Sequence, residues 1–424
     1  MQNDLTESVQ ASIRPGEMCD TYYYGETNTE KQAYPCVVNT RFVQQFTNLG
    51  AGSSQFVISP NMGVSDIVLQ FVTPASTGSN YTNAGLNSGW GYSLINRISV
   101  RYGSSAQYFW SGPQMWAEIV LDCENNTKVD QLLQIGGGAA TGAGCGSVQA
   151  NVYLKLPHNS PRANGKPLPF PTDLLVQPIV ITVELFSLQS IVVNATGTGA
   201  LAAAPTALAS AQLQVKQEML TDSSDLLARR VDMNSHAYTV PLMYFAQQET
   251  QVAFTSTAGN DLISLNLTGF RAGEVKHIVF WITPTGAGQS TNNSGNFSPL
   301  VWPAVTDVQL TYNGEIFNRF DAQSFQLWNA VEDEKTPVVN GIVQQAYNSG
   351  AQTTNVSYYT RLDLAQVNMA YDRETKLVHG KPILNAVVQL QFRAPSASYA
   401  GLLHAMYLYN ASLLCSRGSS EYVF

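Results

Sequence analysis

Tyr102 closes a run of alternating residues and is followed by Gly103, Phe109, Trp116 and the acidic residues Asp122 and Glu124. Tyr312 closes a similar run and is followed by Gly314, Phe317, Trp328 and Asp333-Glu334. The two tyrosines lie 210 residues apart and the two tryptophans 212. Farther along, Gly165-Lys166-Pro167 recurs as Gly380-Lys381-Pro382 at a spacing of 215. Three matches in one order at one spacing, half of a 424-residue chain, imply two copies of one domain.

The local pattern within each copy is that of β-strands. Ile98, Val100 and Tyr102 alternate with Ser99 and Arg101, and Ile179, Ile181, Val183 and Leu185 enclose Thr182 and Glu184. Val308, Leu310 and Tyr312 alternate with Gln309 and Thr311, as do Val388, Leu390 and Phe392 with Gln389, Gln391 and Arg393. A period of two places one face in a core and the other toward solvent or a partner. Long Gly/Ser/Thr/Asn stretches, such as 136–146 and 286–298, separate the runs, and many strands with few helices predict antiparallel sandwiches. Two short helices are expected. One follows Pro113 and carries Met115, Trp116, Ile119 and Val120; the other follows Asp321 and carries Phe325, Trp328 and Val331. Core packing is the expected role of their tryptophans.

The boundaries follow from where the pattern stops. Residues 1–35 are polar and weakly patterned and are expected to form an N-terminal arm. Residues 36–220 form the first copy, closing on the strand Ala211–Leu220, after an Ala-rich loop that Pro205 keeps from being helical. Residues 221–241 carry a short charged turn and are expected to be a linker, and 242–424 form the second copy. Each half is long enough to bury its own core.

Only 12% of the residues are charged, against roughly 25% in ordinary globular domains. Asn, Gln, Ser and Thr must therefore make up the polar surface. A neutral surface is covered by a neighbour without stranding buried ions, whereas desolvating unpaired charge is costly. The same composition also fits a neutral, loop-rich β protein that stays alone. The net charge of −8, with Arg229-Arg230 the one adjacent basic pair, argues against direct contact with nucleic acid. The N-terminal sequence lacks the apolar run of a signal peptide, and the greasy stretch 174–193 is broken by Pro178 and Glu184, so synthesis inside the cell is expected. On that route the N-x-S/T sites are expected to stay unmodified. Five cysteines, Cys19, Cys36, Cys123, Cys145 and Cys415, are far apart with no CxxC pair, and free thiols are expected.

Catalytic, cofactor-binding and metal-binding residues are expected to be absent. His158, His236, His277, His379 and His404 make no ligand spacing with one another or with cysteine. The chain holds no GxSxG elbow and no P-loop; Gly136-Gly137-Gly138 lacks the Lys-Ser/Thr that would follow a phosphate cradle. Glu332, Asp333 and Glu334 form an acidic cluster that a solvated helix end explains.

The segment Val305–Trp328, after the strand at Trp281-Ile282, resembles a signature of the double jelly-roll major capsid proteins of large eukaryotic double-stranded DNA viruses and virophages, within the adenovirus-like lineage. In that family a strand ends in an Asn-Gly turn, here Asn313-Gly314, followed by an Arg and an aromatic-rich helix, here Arg319, Phe320 and Phe325. Tyr153–Leu185 is similar to the family's proline-marked loop entering a long strand, and Tyr409-Asn410, Gly418 and Tyr422 loosely match its ending. The resemblance implies an all-β fold of two tandem eight-stranded antiparallel jelly-roll sandwiches with a few short helices in loops. It also implies a homotrimer whose six sandwiches form a pseudo-hexameric capsomer of an icosahedral virion, assembled inside the host cell. Implied partners are neighbouring capsomers, penton and minor capsid proteins, and an internal membrane reached through the arm; none is nucleic acid.

Two other functions fit paired sandwiches. A glycan-processing hydrolase needs acidic and aromatic residues gathered in an interdomain groove. A glycan-binding adhesin usually brings a signal peptide and acidic calcium-type loops.

Overall fold

Strands dominate both halves of the chain, and in both they follow one order. The computed structural model describes residues 37–423 apart from 61–62, 78–79, 87, 113, 117–125, 155–169, 173–174, 195–203, 221–236, 257–260, 267–274, 285–303, 313–314, 322–341, 346–353, 358–359, 364–370, 373–376, 379–385, 394–398 and 417–418. The expected arm, the Gly-Lys-Pro repeats, Trp328 and Cys19, Cys36 and Cys123 lie outside the described residues.

In the first half the main strands are β1 (Val37–Gln45), β2 (Gly52–Ile58), β3 (Gly63–Val72), β4 (Ile95–Tyr102), β5 (Tyr108–Trp110), β6 (Gln149–Leu154), β7 (Ile179–Leu185) and β8 (Ser210–Leu220). One sheet runs β1-β8-β3-β6, with Phe170–Pro171 pairing beside β3, and the other runs β2-β7-β4-β5; all pairs are antiparallel. In the second half they are β9 (Ala237–Ser256), β10 (Asp261–Asn266), β11 (Val275–Pro284), β12 (Ala304–Tyr312), β13 (Glu315–Asp321), β14 (Thr360–Asp363), β15 (Ala386–Arg393) and β16 (Tyr399–Ser416). They pair as β9-β16-β11-β14 and β10-β15-β12-β13, and an added strand, β17 (Ser419–Val423), folds back on β16. The second order is the first with eight added to each number. This is the interleaved, two-sheet arrangement of a jelly roll, made twice.

Register confirms the equivalence. Tyr102 ends β4 opposite Ile179, the first residue of β7, and Tyr312 ends β12 opposite Ala386, the first residue of β15. Behind them Val100 pairs Ile181 and Ile98 pairs Val183, as Leu310 pairs Val388 and Val308 pairs Leu390. The alternating residues seen in the sequence therefore occupy matching rungs of two matching ladders.

Burial in the first half follows the period of two. Along β2, Ser54, Phe56 and Ile58 are buried while Ser53, Gln55 and Val57 are exposed. Ile179, Ile181, Val183 and Leu185 all face the core, where Phe56 meets Phe46 edge-on at 4.8 Å and Phe46 meets Phe71 at 5.8 Å. Burying one such side chain fully contributes about 1.5–3 kcal/mol.

Among the described residues, helices in the loops of this half include α1 (Trp90–Leu94), α2 (Asn126–Ile135) and α3 (Leu188–Ile191). The turn expected after Pro113 is helical at Gln114–Trp116. Its cap is Ser111, whose hydroxyl accepts from the Gln114 N–H at 3.3 Å while the Gln114 side chain accepts from the Ser111 N–H at 3.4 Å, a reciprocal capping box. Ile119, Val120 and the helix expected after Asp321 fall outside the described residues. Two expectations change. Arg319 and Phe320, placed near an aromatic-rich helix, lie in strand β13, where they pair with Gln309 and Val308. Strand β9 opens at Ala237, inside the segment 221–241 expected to be a linker.

Candidate assembly surfaces

Large side chains fill the described interior of the first sandwich. Trp90, Trp110 and Trp116 are buried with indole N–H groups that find no acceptor, so they act as apolar filling. Cys145 is buried, its Sγ donating to the Ala84 carbonyl at 3.7 Å, and burial pushes its thiol up to about 11. Burial likewise pushes Cys415 up to about 12. Both are free thiols. Among the described residues no three His, Cys, Asp or Glu side chains gather in a way that would hold a metal ion.

The surfaces are more informative. Across the outer face of β1-β8-β3-β6 runs a row of amides, one per strand, at one level of the ladder. Gln45 pairs Gln212, Gln212 pairs Gln70 and Gln70 pairs Asn151. Gln45 Nε2 donates to Gln212 Oε1 at 3.1 Å, Gln212 Nε2 donates to Gln70 Oε1, and Gln70 Nε2 donates to Asn151 Oδ1 at 3.1 Å. Gln149 Nε2 also donates to Asn151 Oδ1, at 3.0 Å. Each donor points the same way, so the row is internally satisfied yet uncharged. Beside it lie one exposed ion pair, Lys216 with Asp66 at 3.7 Å, and Tyr153, whose hydroxyl donates to Asp66 at 3.4 Å. A face of this kind is covered without burying unpaired charge.

Breaking the row tests its worth. Gln212→Leu leaves Gln45 Nε2 without its acceptor and Gln70 Oε1 without its donor, while Gln70 keeps Asn151, on a half-exposed face where water replaces the lost bonds. The isolated chain is expected to lose about 0.5–1.5 kcal/mol per hydrogen bond at most, read from the urea midpoint. A loss above about 4 kcal/mol would mean the residue is part of the core instead.

The outer face of the second sheet carries Arg97, 3.4 Å from Glu184 and with its guanidinium 5.2 Å above the ring of Phe109. Phe109 is nonetheless 45% exposed. The two sheets have their free edges on the same side: β1 pairs only β8, and β2 pairs only β7, among the described strands. Gln44 Nε2 bridges these edges by donating to the Val57 carbonyl at 2.8 Å. Phe42, Val43 and Val57, all on this edge, are 43%, 46% and 46% exposed. Open strand edges bearing large apolar groups are pairing sites that a lone protein would have to blunt.

On the opposite side the second half of the chain approaches the edge. Strand β9 of the second half lies against β5, and β17 reaches the turn between β4 and β5 through Ser420. Sequence reasoning found none of these contacts, since each depends on register or on residues more than a hundred positions apart.

No family model matches the chain, and no curated protein matches it in sequence. Its fold, in contrast, recurs in solved structures. The chain is similar to VP54 of PBCV-1, as fitted into a reconstruction of the virophage Sputnik, with a TM-score of 0.58 and 14% identity over 92% of this chain and 97% of that one. The quasi-atomic model of the PBCV-1 virus capsid gives a TM-score of 0.59 and 12% identity over 92% and 97%. The mavirus major capsid protein gives 0.53 and 12% over 92% and 90%. Near-complete coverage of both partners means that both sandwiches are matched, not one. The chain thus has the double jelly-roll fold of the major capsid proteins of double-stranded DNA viruses and virophages.

Proposed function

We propose that this chain is a non-enzymatic major capsid protein that builds an icosahedral shell from homotrimeric, pseudo-hexameric capsomers. The observation that carries the proposal is the unequal treatment of two equivalent edges. Strand β9 is the second-half counterpart of β1, and it lies against β5 of the first half. Among the described residues strand β1 keeps its own edge open, with Phe42 and Val43 exposed. Strand β13, the counterpart of β5, is the matching edge, and among the described strands it pairs only β12. A second copy offering β1 to β13 repeats the contact already made inside the chain. Such a head-to-tail contact either closes into a ring or propagates. Six sandwiches related by about sixty degrees close it with three chains, and a hexagonal outline tiles a shell.

Light scattering on the purified chain tests this. A mass of three times 46.1 kDa is expected. Val43→Asp, which places a charge on the edge to be covered, is expected to give a folded monomer. A wild-type chain that stays monomeric at high concentration contradicts the proposal.

Neighbouring capsomers, penton and minor capsid proteins are the proposed partners in the virion. Residues 1–35 are proposed as an arm toward a neighbour or an internal membrane, and the segment between the end of β8 at Leu220 and the start of β9 at Ala237 as the join between the sandwiches. With a net charge of −8, the shell is proposed to leave the genome to other proteins.

A further inference from the structure

Ser420 lies on β17, yet its hydrogen bonds are made with the first sandwich. Its hydroxyl accepts from the backbone N–H groups of Ser104 at 3.0 Å and Ser105 at 3.1 Å, and donates to the carbonyl of Tyr102. Its own N–H donates to the Ser104 hydroxyl at 2.8 Å. One side chain thus completes the β4–β5 turn, which has no strand partner for those amides. Ser420 is 5% exposed and Ser105 4%, while Ser104 stands at the exposed rim of the contact. Tyr422 follows two residues on, and burial pushes its hydroxyl up to about 12.

The receiving turn is shaped for this plug. Gly103 has φ +58, and a Cβ there would stand 2.8 Å from the Ser420 hydroxyl. Both the left-handed backbone and the close approach require glycine. On its other side β17 pairs with β16 from Ser412–Val423 through Ser416–Ser419, so it belongs to the second sandwich's sheet while serving the first sandwich's turn.

We propose that β17 is an internal clasp: by seating Ser420 in the β4–β5 turn it locks the second sandwich to the first, and the clasped pair is the unit that associates with further copies. The second clause rests on the capsid proposal; the first does not. A ring of equivalent contacts closes only if the angle between the two sandwiches of each chain is fixed. A bond set that orders two consecutive amides around one oxygen helps to fix it.

Backbone hydrogen exchange on the full chain tests the clasp, with light scattering beside it. Ser420→Ala removes the oxygen, which leaves the Ser104 N–H without its acceptor and the Ser105 N–H with only the Tyr102 carbonyl at 3.0 Å. Exchange at Ser104 is expected to quicken at least tenfold, and at Ser105 less because its bond to the Tyr102 carbonyl stays, with β3 unchanged. Glu421→Ala, on an exposed position of the same strand, is expected to change neither. Gly103→Ala attacks the same contact from the other side and is expected to reproduce the Ser420→Ala pattern. Unchanged exchange at Ser104 and Ser105 in Ser420→Ala overturns the clasp. If exchange quickens, loss of the wild-type oligomer supports the link to association, and an intact oligomer overturns it. A monomeric wild type overturns the capsid proposal instead, and exchange alone then decides the clasp.

Discussion

Trp116→Ala is expected to destabilise the first sandwich by about 3–5 kcal/mol, the range for emptying a large aromatic site in a core. Trp116 is wholly buried on the turn capped by Ser111, with its ring 5.0 Å from that of Tyr92. The surroundings have little freedom to collapse into the space. A Cβ on Gly112 would lie 2.0 Å from the Tyr92 carbonyl oxygen, and one on Gly136 would lie 2.6 Å from the Tyr92 ring, so backbone already touches Tyr92 on two sides. The cavity term therefore adds to the transfer term rather than relaxing away.

Trp116→Phe separates packing from hydrogen bonding. The indole N–H of Trp116 has no acceptor, so phenylalanine removes an unpaired buried donor while keeping an aromatic ring beside Tyr92. It is expected to cost less than half as much as alanine. Equal losses for the two variants, read from urea midpoints at constant slope, would mean that the N–H carries weight through a bound water.

The fold was largely legible because it rests on local pattern. Ile98, Val100 and Tyr102 look like a half-buried strand whatever they pair with, and the same holds for Val308, Leu310 and Tyr312. Duplication then supplied what local pattern lacks, because two tyrosines at matching strand ends imply matching neighbours. Helix α2 was not read: its NTKVDQLLQI sequence begins beside a sequon and runs into three glycines, which look like a loop. Arg319 and Phe320 were drawn toward a helix by family resemblance, although Ile316, Asn318 and Phe320 keep the period of a strand. The surfaces were illegible for another reason. Gln45, Gln70, Asn151 and Gln212 form a row only once four strands are in register, and Ser420 meets Tyr102 across 318 positions. Glutamine and serine in a polar chain carry no local mark of such roles.

Raising the pH is expected to unfold this protein from the buried hydroxyls and thiols outward. Cys145 is pushed from 9.0 to about 11, Cys415 from 9.0 to about 12, and Tyr422 from 10.0 to about 12, in each case chiefly because burial penalises the charged form. Tyr102, beside Tyr422, moves in the same direction for the same reason, reinforced by repulsion between the two phenolates. All four are acids held neutral in the folded chain. Below pH 9 they are neutral in the unfolded chain too, and their contribution is fully present. Above it the unfolded chain loses protons that the folded one keeps, so stability falls with rising pH until the folded values near 11–12 are passed. Each group in that window contributes a slope of about 1.4 kcal/mol per pH unit. The melting temperature is therefore expected to be level from pH 7 to 8.5 and to drop steeply between pH 9.5 and 11. Cys415→Ala, which deletes one of the four, is expected to make the drop shallower at the cost of a small cavity at neutral pH. A stability profile level to pH 11 would mean that these side chains reach water in the folded protein. Because Tyr102 and Tyr422 stand on either side of the Ser420 contact, amide exchange at Ser104 and Ser105 is expected to rise before β3 is affected. The turn that joins the sandwiches is thus where alkali enters first.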